Sequence, residues 1–82
     1  MTRPKPKQLS VIKEVIEEAL KSKSVGVELD GPLASILFKC DTSIPKGMGD
    51  MRDELEDRGF ILFHSKIIKD NEEYLSINVS KI

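Results

Sequence analysis

Lys46 stands between Pro45 and Gly47 in the stretch PKGMGDMRD, just ahead of a helix-like run, and is the chain's first candidate for phosphate chemistry. A phosphate-cradling loop follows the order G-x-x-x-x-G-K-[S/T], so that backbone N–H groups converge on the anion at a helix N-terminus. Here the lysine precedes Gly47 and Gly49, and no hydroxyl follows it. Asp50 and Asp53 fall in the first helical turn, where their carboxylates complement the positive end of the helix dipole and repel a phosphate. The spacing therefore predicts a helix-entry loop capped by Asp50, and no nucleotide cofactor is expected.

Cys40 and His64 are the only cysteine and the only histidine, so a thiol–imidazole nucleophile would have to be this pair. No acid is placed to orient the imidazole, and a lone cysteine in a small protein reads as a small hydrophobe. One His and one Cys fall short of a zinc site's ligand set, and the carboxylates lack the Asp/Asn-Gly spacing of a calcium loop. No metal and no catalytic set are expected, and the chain reads as non-enzymatic.

These residues must be carried by a small scaffold. Eighty-two residues make one domain with a modest core, so a partner or self-association could add stability. The longest uncharged apolar run, Phe60 to Phe63, is far short of a membrane span, and no apolar leader segment precedes the first helix. The single cysteine agrees with a reducing compartment, so a cytoplasmic location is expected. Thirteen basic residues against fourteen acidic ones give a net charge of −1, so no long-range positive field draws in nucleic acid.

Residues 1–7, with Pro4 and Pro6 among Arg3, Lys5 and Lys7, read as a flexible basic arm, and residues 8–82 as a single α+β domain. From Gln8 on, Leu9, Ile12, Val15, Ile16, Ala19 and Leu20 recur at helical steps and predict the first helix. Val25, Val27 and Leu29 alternate up to an Asp30-Gly31 turn. Ala34, Ile36 and Phe38 then share their face, leaving Glu28, Leu33, Ser35, Leu37 and Lys39 on the other. Met48, Met51 and Leu55 predict a second helix ended by Gly59. Two further strands flank a turn at Asp70-Asn71, with Ile61, Phe63, Leu75, Ile77 and Val79 inward and Leu62, His64, Tyr74, Ser76 and Asn78 outward.

The order is helix, hairpin, helix, hairpin, with a Ser-Ile step repeated at Ser35-Ile36 and Ser76-Ile77. It predicts a two-layer αββαββ sandwich: a four-stranded, mostly antiparallel sheet with two helices on one face. The other face would be uncovered and would display Leu33, Leu37, Leu62, His64, Tyr74 and Ser76, a mixed patch suited to a protein partner. The acidic second helix, DMRDELEDR, offers a second surface for a basic partner. The alternative is nucleic-acid binding through Arg3, Lys5, Lys7, Lys66 and Lys69, with the closing hairpin as a wing.

The stretch MRDELEDRGFILFHSKIIKDNEEYLSINVSKI resembles the helix and closing hairpin of the DNA-binding domain in the middle-promoter activator of T-even phages. Gly59, Ile61, Lys66, Asn71, Tyr74, Leu75 and Ile77 carry the likeness, and the acidic helix departs from what duplex binding needs. More broadly, a single short, site-poor domain is similar in style to the small regulators that phages use to alter host transcription or to time lysis by holding a partner protein, a likeness of type that no residue motif carries.

Overall fold

The computed structural model describes residues Thr2–Ile82. The elements are α1 (Pro6–Leu20), β1 (Gly26–Asp30), β2 (Leu33–Lys39), α2 (Met48–Asp57), β3 (Phe60–Lys69) and β4 (Glu72–Lys81). All four strands join one antiparallel sheet in the order β1-β2-β4-β3, which makes this an α+β chain. Ile36 lies directly opposite Ile77 at the β2–β4 junction. The two Ser-Ile steps thus meet where the two hairpins join.

Helix α1 starts at Pro6, two residues before the expected Gln8. Proline suits this position because its missing N–H would have no helical partner anyway. The Lys5 N–H donates instead to the Gln8 Oε1, at 3.1 Å. Residues 2–5, expected as a free arm, are tied to the sheet. Thr2 and Lys81 exchange backbone hydrogen bonds at 2.8 and 2.7 Å, Arg3 Nε donates to the Gly31 carbonyl, and Pro4 is buried.

The first turn is Gly31-Pro32 rather than Asp30-Gly31, since Asp30 pairs with Leu33 and Val27 with Ile36, where an Asp30-Gly31 loop would pair Val27 with Ala34. Moving the loop by one residue moves every partner by two, so face membership is unchanged. Gly31 takes φ +56°, a conformation glycine enters without steric cost. The second turn falls at Asp70-Asn71 as the sequence indicates, both with positive φ, as a two-residue hairpin loop requires.

Ile12, Ile16 and Leu20 of α1 and Leu55 of α2 share one core cluster with Ile36, Phe38, Phe60, Leu62, Leu75, Ile77 and Val79 of the sheet. Leu9, Met48 and Met51 pack against it from the side. Gly59, at φ +91°, turns the chain directly from α2 into β3.

Strand β3 has the opposite parity to that expected. Leu62 pairs with Val79 and is buried among core residues, whereas Ile61, Phe63 and Ser65 lie on the outer face with Ser80, Asn78 and Ser76. Four consecutive apolar residues satisfy either parity, and the tight Gly59 connection selects the one that buries Phe60. The helix-facing residues further along, His64, Lys66 and Ile68, are exposed, Ile68 by 79%.

Candidate functional site

On the outer face, Leu33, Leu37, Tyr74 and Ser76 have the expected orientation. Leu62 and His64 belong to the helix side and are corrected accordingly. Nor is the outer face an open platform, for Leu37 is only 3% exposed and Ser76, Asn78 and Ser80 are buried. Leu33 and Tyr74 remain half-buried, and Tyr74 donates to the Glu72 carboxylate at 3.0 Å. The proposed six-residue patch therefore does not form one accessible surface.

Its centre is a closed hydrogen-bond network. Asn78 Oδ1 accepts from Ser35 Oγ and Ser76 Oγ, each at 2.8 Å, and Asn78 Nδ2 donates to Ser65 Oγ at 3.0 Å. Ser80 Oγ lies within hydrogen-bonding distance of both the Pro32 and Thr2 carbonyls, at 2.9 and 3.2 Å. Among the described residues no buried side-chain polar atom lacks a hydrogen-bond partner.

The basic residues do not converge either. Lys66 and Lys69 alternate to opposite faces of β3, Lys69 is held by Glu28, and Arg3 is engaged with Gly31. Lys5 and Lys7 are exposed at the start of α1. Cys40 and His64 are also apart. Cys40 follows the end of β2 and is exposed, while His64 sits mid-strand opposite Ile77. Two strand spacings of about 5 Å and a stagger of about four residues separate their backbones. No group of three or more His, Cys, Asp or Glu gathers among the described residues.

The loop at Lys46 enters α2 through Gly47, which makes no side-chain cap, and Asp50 sits in the first turn without the expected capping hydrogen bond. Helix α1 ends on Lys21, left-handed at φ +52°, with the Lys21 and Ser22 N–H groups bonded to the Glu18 and Glu17 carbonyls. The Glu17 carboxylate then accepts from the Ser24 N–H at 2.8 Å and its hydroxyl at 2.9 Å, which fixes the approach to β1. These two donors lower the Glu17 pKa.

An apolar concavity lies between the helices. A groove of about 450 Å³ has Val11, Ile12 and Val15 on one wall, Met51 and Leu55 on the other, and Phe60 at its end. Val11 and Val15 are 59% and 41% exposed, although the α1 periodicity placed Val15 in the core stripe. Ile12, Ile16 and Leu20 take the sheet, and the valines on the flank of the stripe are left over. Lys7, Gln8, Glu54 and Arg58 form the polar rim, where Arg58 Nη2 meets Glu54 Oε1 at 3.2 Å. Sequence reasoning missed this site because its two walls are about 40 residues apart in the chain. The available signal was the pair Val11 and Val15, one helical turn apart at the margin of the stripe.

No described helix is long and apolar enough to cross a membrane. No protein-family model matches the chain, and neither a curated protein nor a solved structure matches it significantly.

Proposed function

We propose that this chain is a non-enzymatic regulatory or adaptor protein that acts by binding a protein partner, and that the groove between α1 and α2 is the surface it uses. The exposure of Val11 and Val15 along an apolar groove that they share with Met51 and Leu55 carries this reading. Apolar concavities rimmed by charge mark protein interfaces, and a groove walled by two helices suits an amphipathic helix laid between them. Burial of the valines would supply affinity, while Lys7 and the Glu54–Arg58 pair would orient the partner.

The resemblance of residues 51–82 to a phage transcription activator supports the regulatory part of this reading. A photo-crosslinking residue at position 11, used in the native cell, should capture a partner that Val11→Glu no longer binds while circular dichroism stays native. Unchanged binding of that partner by the Val11→Glu protein would refute the assignment of the groove.

A further inference from the structure

We propose that a second hollow, between the Ile44-Pro45 loop, α2 and β3, binds a small monocarboxylate with an apolar body, and that the Arg52 guanidinium takes the carboxylate. The hollow holds about 350 Å³, and no residue of α1 lines it. Small-ligand sites occupy about 300–1,000 Å³, so the space suits a compact molecule. Helix α2 thus stands between two concavities, with Met51 and Leu55 turned to the groove shared with α1 and Met48 and Arg52 turned to this one.

The hollow is walled on three sides. Ile44 and Pro45 form one wall, Met48 and Arg52 of α2 the second, and Leu62 and His64 of β3 the third. The loop is held to the helix, because the Met48 N–H donates to the Pro45 carbonyl at 3.1 Å. A wall fixed before binding spares a ligand the cost of ordering it. Ile44 is 37% exposed and Met48 half-buried, so an apolar body laid here takes surface of both out of water.

Charge selects the head group. Helix α2 carries five acids, Asp50, Asp53, Glu54, Glu56 and Asp57, yet none of them lines the hollow, whose only ionisable lining residues are Arg52 and His64. Arg58 is paired with Glu54 one turn before it, whereas Arg52 makes no ion pair among the described residues, although Glu56 stands one turn after it. A guanidinium offers a planar fork of N–H donors that fits a carboxylate's two oxygens, and a neutral imidazole adds one further N–H. One fixed positive charge answers one negative charge. A phosphate dianion would bring a second charge toward Asp50 and Asp53, the chain neighbours of Gly49 and Arg52. Three walls around so small a space favour a compact ligand over the end of an extended peptide.

Amide-resonance titration of the isotope-labelled chain with phenylbutyrate should shift Ile44, Gly49, Arg52 and His64 together and saturate in the millimolar range or below. Phenylbutanol, the same body without the charge, should bind about tenfold more weakly, and Arg52→Gln should weaken phenylbutyrate by about the same factor. Arg52 is exposed and unpaired, so its replacement should leave the other resonances in place. Ile44→Asp, which adds a carboxylate to the wall, should weaken binding further. Shifts scattered over the chain, equal binding of the alcohol, or an Arg52→Gln protein that binds phenylbutyrate as the parent does would overturn the proposal. So would tighter binding of a short peptide through its free C-terminal carboxylate, which would assign the hollow to a protein terminus. Val11→Glu should bind phenylbutyrate like the parent, so failure of the groove assignment and failure of this one are separable.

Discussion

Glu28 and Lys69 form an ion pair across the outer face although they stand on opposite edges of the sheet, β1 and β3. In a flat sheet the two would be about 14 Å apart across the strands and about 20 Å apart along them, judged from the pairing of Glu28 with Ser35, Ser35 with Asn78, and Lys69 with Glu72. Neither side chain spans that diagonal. The sheet must therefore coil, bringing the tip of the β3–β4 hairpin over β1 and making the outer face concave. This curl explains how Leu37 and Ser76 become buried on the outer face.

The Lys69 pKa is raised by its hydrogen bond to Glu28 and by that carboxylate's charge. A raised folded-state pKa means the pair's contribution is complete below the ordinary lysine value and is lost as pH rises through the higher one. Amides of the hairpin tip, Ile67 to Tyr74, should exchange faster in Lys69→Met than in the parent at neutral pH. The difference should shrink at high salt and again above the lysine range. Equal exchange in the two proteins would mean that the curl is set by the backbone alone.

Asn78 is expected to be the costliest polar residue to remove. Asn78→Ala leaves three serine hydroxyls without their common partner, that of Ser76 buried and those of Ser35 and Ser65 half-buried. Urea denaturation should show a loss of about 3 kcal/mol, from the unmade hydrogen bonds and the small cavity together. A loss below about 0.5 kcal/mol would place the network among ordinary surface contacts.

Glu17 sets the acid limit of the α1–β1 connection. Its pKa is lowered, first by the Ser24 N–H and then by the Ser24 hydroxyl, so the stability it adds is present above the unfolded carboxylate value and is lost as pH falls through the depressed one. Glu17→Gln should reduce the melting temperature at pH 7 and have little effect at pH 2. An equal effect at both values would assign the contribution to packing.

Much of the scaffold was local information. The α1 stripe, the Asp70-Asn71 turn, the Gly59 stop and the alternation of Ala34, Ile36 and Phe38 each follow from side-chain period or backbone permissiveness over a few residues. The candidate site was not local. The run Phe60 to Phe63 fits either face, and only its tight connection to α2 and its register against β4 decide that Leu62 turns inward and Phe63 outward.

By itself, then, the sequence determined the kinds of element and their order, because those depend on neighbours in the chain. Only the tertiary structure decided the surfaces. The curl that joins Glu28 to Lys69 closed the sheet face that composition had offered, and the spacing of two helices on one sheet left Val11 and Val15 exposed. Exposure depends on what lies opposite a residue in space, and for these positions the opposing groups are tens of residues away.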